Sequence, residues 1–147
     1  MKKTESTKII GYTTGVFDMF HIGHLNILKK AKENCDYLIV GVSTDELVET
    51  YKHKKPIIPF EERIEIVRAI RYVDEVVPQV SMDKYKAWEE LKFNRLFHGS
   101  DWKGSDMYNE IESKLKKVGV ELIFFPYTSG TSSTLLNEVL HDKLKNK

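Results

Sequence analysis

Two histidines three residues apart, His21 and His24, close the stretch Thr13-Thr14-Gly15-Val16-Phe17-Asp18-Met19-Phe20-His21-Ile22-Gly23-His24. The stretch leads from an apolar run into a pattern of helical period. At that spacing, at a helix entrance, both imidazoles can face the same side. A helix N-terminus offers unpaired N–H groups and a partial positive charge, which suits phosphate. Gly15 and Gly23 allow the backbone to approach a ligand closely. The chemistry this favours is hydrogen bonding to a phosphate that gains charge as a bond breaks. An isolated pair of this kind also has a plainer reading, with one histidine capping the helix and one exposed. A zinc pair is disfavoured, because no third ligand has an obvious spacing.

Three further segments carry unusual residues. Ser43-Thr44-Asp45-Glu46 is followed by Tyr51-Lys52-His53-Lys54-Lys55-Pro56, read as a lysine-rich loop, with Arg63 near the start of the next helix. His98-Gly99-Ser100-Asp101-Trp102-Lys103-Gly104 reads as a glycine turn; Trp102 can shape a pocket and Asp101 can hold a backbone turn or a base amino group. Pro126-Tyr127-Thr128-Ser129-Gly130-Thr131-Ser132-Ser133-Thr134 surrounds a glycine with six serine and threonine hydroxyls. Helix capping accounts for one or two of these. The whole run reads as an anion nest whose amides and hydroxyls hold phosphates.

The elements that must position these segments alternate. Strands are expected at Ile9–Thr13, Tyr37–Val42, Glu75–Val77 (ending at Pro78), Arg95–His98 and Glu121–Phe125. Helices are expected through Leu25, Leu28, Ala31 and Cys35, then from Pro59 through Ile64, Val67 and Ile70. Two more are expected over Asp83–Phe93 and Tyr108–Val118, and a closing helix through Leu135, Leu136, Val139, Leu140 and Leu144. This β-α-β-α order predicts a single-domain α/β fold, a Rossmann-like, doubly wound sheet of five parallel strands with helices on both faces. Ligands of such sheets bind outside the carboxyl ends of the strands, where the unusual loops fall.

Composition narrows the class. A chain of 147 residues fits one domain, here 1–147 with a core at about 8–144, and 41% hydrophobic with 31% charged residues is globular. The net charge of +1 gives no overall field for nucleic acid or an anionic membrane. Cys35 is the single cysteine, so no internal disulfide and no thiol zinc cluster can form. No apolar run suits a signal peptide or a bilayer span. A cytoplasmic protein is expected.

The string Gly15-x-Phe17-Asp18-x-x-His21-x-Gly23-His24 resembles the first motif of the cytidylyltransferase branch of the HIGH-type nucleotidyltransferases; residues 21–24 read HIGH. Neither the P-loop nor G-x-G-x-x-G occurs. The resemblance, over about residues 8–141, implies that His21 and His24 stabilise the transition state at the α-phosphate. It gives Gly15, Val16, Phe17, Ile22, Gly23, Gly99, Asp101, Trp102 and Tyr127 to Thr134 to the nucleotide. The lysine segment is similar to the K-x-K element of glycerol-3-phosphate cytidylyltransferases, which implies Lys52 at the acceptor phosphate and Lys54 at the nucleotide phosphates. It also implies Asp18, Arg63 and either Lys84 or Lys86 on the acceptor side, with Arg63 bracing a phosphate or the lysine loop. The last motif resembles R-T-E-G-I-S-T-T, but Tyr127 stands for its arginine and Ser129 for its glutamate. Tyr127 makes it similar to the loop of 2-aminoethylphosphonate cytidylyltransferases.

The expectation is therefore transfer of CMP from CTP to a small phosphorylated alcohol, foremost glycerol 3-phosphate, with Mg2+ bound alongside CTP. A homodimer and the synthesis of cell-surface polymer precursors are implied by the resemblance alone. Three alternatives stand beside it. One is CTP-dependent transfer to phosphocholine or 2-aminoethylphosphonate. Another is adenylyl transfer to a sugar phosphate or FMN, and the third is a non-catalytic nucleotide-binding regulator. A tRNA-synthetase fragment shares HIGH but would need a basic face for tRNA.

Overall fold

Runs of β-branched and aromatic residues form five strands in the computed structural model, which describes residues 8–99, 106–125 and 139–140. They are β1 (Ile10–Gly15), β2 (Tyr37–Ser43), β3 (Glu75–Gln79), β4 (Arg95–Gly99) and β5 (Glu121–Phe125). Between them lie α1 (Ile22–Glu33), α2 (Asp45–Lys52), α3 (Phe60–Arg68), α4 (Lys84–Leu91) and α5 (Asp106–Lys117). All strand pairs are parallel, in the order β3-β2-β1-β4-β5.

Strand alternation sends side chains to two cores. Leu38, Val40, Val42 and Phe97 join Leu28 and Ala31 of α1 and Ile64 and Val67 of α3 on one face. Ile39, Tyr12 and Leu96 pack with Trp88 and Leu91 of α4 and with Ile111 and Leu115 of α5 on the other. The sheet is thus doubly wound, as the sequence predicts. Its order turns back between β1 and β4, so the ligand crevice of such a sheet lies at the ends of these two strands, near Gly15 and Gly99.

Several boundaries differ from the sequence reading. Asp45–Lys52 is a helix and not part of a loop: Thr44 caps it by accepting from Leu47 N at 3.2 Å, and Asp45 and Glu46 sit in its first turn. Pro78 lies inside β3 and does not end it, which is tolerated because β3 is an edge strand. β1 runs two residues further, to Gly15, and α3 stops at Arg68, before Ile70. The closing helix lies outside the described residues except for Val139 and Leu140, which are helical. No helix among the described residues is long and apolar enough to cross a membrane.

Candidate active site

The loop from β1 to α1 is strained and tightly held. Phe17 and Met19 adopt φ of 55° and 50°, the left-handed region that costs non-glycine residues about 1–3 kcal/mol each. Three contacts hold them there. The Phe17 ring is buried against Phe20 and meets His24 edge-on at 5.3 Å. Asp18 accepts from the N–H groups of Ile57 and Ile58, both at 2.8 Å. The carbonyl of Val16 accepts from Arg63 Nη1 at 2.8 Å. Gly15 has a steric reason: a Cβ there would lie 2.9 Å from the Phe17 ring.

At the end of this loop His21 and His24 cap α1 reciprocally. His21 Nδ1 accepts from Gly23 N at 3.0 Å, and His24 Nδ1 accepts from His21 N at 3.3 Å. The rings stack with centroids 3.9 Å apart. A nitrogen that accepts from a backbone N–H carries no proton, so in each ring the proton resides on Nε2. Burial lowers the His21 pKa. Burial, and then the neighbouring His21, pushes His24 down to about 3. Both rings are therefore neutral Nε2–H donors around neutral pH.

The lysines approach this loop through their own chain. Lys52 is the last residue of α2, and His53 follows in the left-handed conformation at φ 59°. Lys52 and Lys54 are exposed, and a few residues later Ile57 and Ile58 are clamped to Asp18. The far end of the lysine segment is thus tied to the loop that carries the histidines.

Arg63 completes the tie. Wholly buried, it donates to the carbonyls of Ile58 (2.8 Å), Val16 (2.8 Å) and Ser43 (2.7 Å) and to Asp45 Oδ1 (2.6 Å). Both Asp18 oxygens accept from backbone N–H groups, and Arg63 binds three backbone carbonyls and the Asp45 carboxylate, so of the two roles expected for Arg63 the structure displays the bracing of the lysine segment. Asp45 gives little linear signal of this role, because Thr44-Asp45-Glu46 beside a lysine cluster reads as loop. Its signature, a capping residue before two acids, is that of a helix start.

On the other face of the sheet, Lys84 opens α4 and is 3% exposed, whereas Lys86 is exposed. Of the two lysines expected on the acceptor side, Lys84 is the buried one. Burial draws its pKa down to about 8, against a smaller raising effect of Asp83. Burial, and then the charge of Lys84, lowers His98 to about 3. A histidine in an apolar strand, such as His98, gives little sequence signal. Asp101, Trp102 and Tyr127, Thr128, Ser129, Gly130, Thr131, Ser132, Ser133 and Thr134 lie outside the described residues.

Residues 12–139 match the family model described as cytidylyltransferase-like. The chain is 37% identical to glycerol-3-phosphate cytidylyltransferase of Bacillus subtilis, over 89% of this chain and 95% of that protein. It is 44% identical to FAD synthase of Pyrococcus horikoshii, over 77% of each. Among solved structures it is similar to the lipopolysaccharide core biosynthesis protein from Thermoplasma volcanium, with 28% identity and a TM-score of 0.70. That match covers 84% of this chain and 99% of the other. With a match over most of its length, and relatives of its own size at this identity, the chain belongs to the cytidylyltransferase-like family.

Proposed function

We propose that the protein transfers CMP from CTP to glycerol 3-phosphate and releases pyrophosphate. The observation that carries this reading is the reciprocal cap of His21 and His24, which presents two neutral Nε2–H donors at the start of α1. A phosphomonoester oxygen is already anionic near neutral pH and needs no strong base. It attacks the α-phosphorus in line, forming a new P–O bond as the bond from the α-phosphorus to the bridging oxygen breaks. Pyrophosphate leaves with the electron pair. The catalytic work is positioning and charge stabilisation. His21 and His24 donate to α-phosphate oxygens that become more negative in the transition state. Lys52 orients the acceptor phosphate, and Lys54, with the hydroxyl-rich segment Thr128–Thr134, holds the triphosphate.

Magnesium fits as a passenger of the nucleotide. It favours phosphate oxygens and retained waters over an all-protein cage, and among the described residues no group of three or more histidine, cysteine or acidic side chains could hold a metal. When bound, it would neutralise charge on the triphosphate. A homodimer belongs to the same proposal.

The likeness to FAD synthases favours a second reading, adenylyl transfer from ATP to FMN. A pyrophosphate-release screen separates the two by crossing CTP and ATP with glycerol 3-phosphate, phosphocholine, ribitol phosphate, 2-aminoethylphosphonate and FMN. Release with CTP and glycerol 3-phosphate is the expected result. Release only with ATP and FMN would overturn the first reading, and no release with any pair would overturn both.

A further inference from the structure

The transfer reading gives Lys52 the acceptor phosphate, yet Lys52 is an exposed residue at the very end of α2. An exposed lysine has a flexible four-carbon stem with many rotamers, and binding a phosphate must order them. The aromatic ring placed to order this one precedes it in sequence. The Lys52 ammonium lies over the ring of Tyr51, 5.8 Å from its centroid, within the range of attraction between a cation and a π face. Lys54 lies beyond His53 and its left-handed turn, and no aromatic face among the described residues carries its ammonium.

Tyr51 is itself anchored. Its side chain is half-buried and its hydroxyl is hydrogen-bonded to the Ser43 side chain. Ser43 ends β2, is buried, and donates its own hydroxyl proton to Gln79 Oε1 at 2.7 Å. A serine hydroxyl has one proton, so the bond to Tyr51 runs from the phenol O–H to Ser43 Oγ. Gln79 in turn ends β3, and its backbone carbonyl accepts at 3.1 Å from the N–H of Thr44, the residue that caps α2. The Ser43 carbonyl accepts from Arg63 Nη1 at 2.7 Å. The position of the Tyr51 ring is thereby fixed to the ends of two strands. Burial raises the Tyr51 pKa, so Lys52 faces a neutral phenol and its π face, not a phenolate.

We propose that Tyr51 is a positioning residue of the acceptor site: its ring, held by Ser43, orients the Lys52 ammonium from one side while the acceptor phosphate takes the other. The inference rests on the transfer reading for the role of Lys52 and adds the group that aims it. Phosphate and ring do not compete for the ammonium, which has three N–H bonds to direct. A lysine already ordered loses less freedom when the acceptor binds, which tightens acceptor binding without acting on the transition state. Lys54 has no such ring among the described residues, so the effect belongs to the acceptor and not to the nucleotide.

The test is calorimetric titration of glycerol 3-phosphate into protein loaded with a non-hydrolysable CTP analogue, and of the analogue into free protein. Tyr51→Leu should weaken glycerol 3-phosphate by about threefold to tenfold and the analogue by less than about twofold. Tyr51→Phe, which keeps the ring, should recover most of the loss. Placing phenylalanine, 3,5-difluorophenylalanine and 3,4,5-trifluorophenylalanine at position 51 strips the π face of negative charge with little change of shape, so this series decides the matter should Tyr51→Leu fail to fold. Affinity for glycerol 3-phosphate should fall stepwise along it, whereas a ring that only fills space gives no trend. Equal or rising affinities along the series, an equal loss for both ligands in folded Tyr51→Leu, or no binding of glycerol 3-phosphate by wild-type protein would overturn the proposal. A stepwise fall with no pyrophosphate release from any nucleotide and acceptor would overturn only the transfer reading. Release with CTP and glycerol 3-phosphate but no trend along the series would overturn only the role of Tyr51.

Discussion

Arg63 donates to the carbonyl of Val16 at 2.8 Å, joining α3 to the strained loop before the histidines across 47 positions of sequence. The same guanidinium holds Ile58, Ser43 and Asp45, so one side chain fixes the relative placement of three loops at the sheet edge. The planar fork of arginine reaches several acceptors at once, which a lysine ammonium cannot imitate. Arg63→Ala should destabilise the fold by about 3–5 kcal/mol, because it leaves buried acceptors and the Asp45 carboxylate without their donor. Arg63→Lys should recover only part of this. Urea denaturation of the three proteins checks both expectations; an Arg63→Ala midpoint equal to wild type would contradict them.

Asp18 ties the lysine segment to the same loop through the N–H groups of Ile57 and Ile58. Charge-assisted bonds of this kind contribute about 1.5–3 kcal/mol each when their partner is deleted. Asp18→Ala is expected to cost about 2–4 kcal/mol and to raise KM for the acceptor more than KM for CTP, because Lys52 loses its anchor. Asp18→Asn, which retains one carbonyl acceptor, should be intermediate. Steady-state kinetics with each substrate varied in turn gives the answer.

The double use of His21 allows its structural and chemical roles to be separated. Asparagine is a good N-cap, so His21→Asn should keep the bond from Gly23 N and change stability by less than about 1 kcal/mol. It removes the Nε2–H donor, so kcat should fall by about 10²–10³, the usual loss for one preorganised donor. His24→Ala should lose a similar factor in kcat, while CTP binding weakens far less. Unchanged turnover in either variant would remove that histidine from the reaction.

Stability should fall on the acid side of neutrality. His24 and His98 have folded-state values lowered to about 3, so the folded state favours their neutral forms, while in the unfolded chain they take up protons near 6.5. Their contribution is complete above pH 6.5 and is lost as pH falls from there toward 3. At pH 5 each histidine should have surrendered up to about 2 kcal/mol. Urea midpoints at pH 7.5 and 5.0 measure the loss, and His98→Leu should make it smaller.

The residues fixed the alternation of strands and helices, since near-continuous apolar runs and helical periods report burial locally. They also placed the unusual residues on the loops of one sheet edge, because parallel strands all end on the same side. Capping signals at Thr44-Asp45-Glu46 were present too, but two acids beside a lysine cluster read equally well as a solvated loop. What only the tertiary structure decided is the destination of each charge. Asp18 and Arg63 have the look of ligand-binding residues in any linear reading, yet fold inward to bind backbone groups 39 to 47 positions away. Lys84 and Lys86 are indistinguishable by type and spacing until the start of α4 packs one inside and leaves the other in water. Hydrogen-bond geometry between distant segments, and the exclusion of water that gives it weight, exist only once the chain is closed on itself.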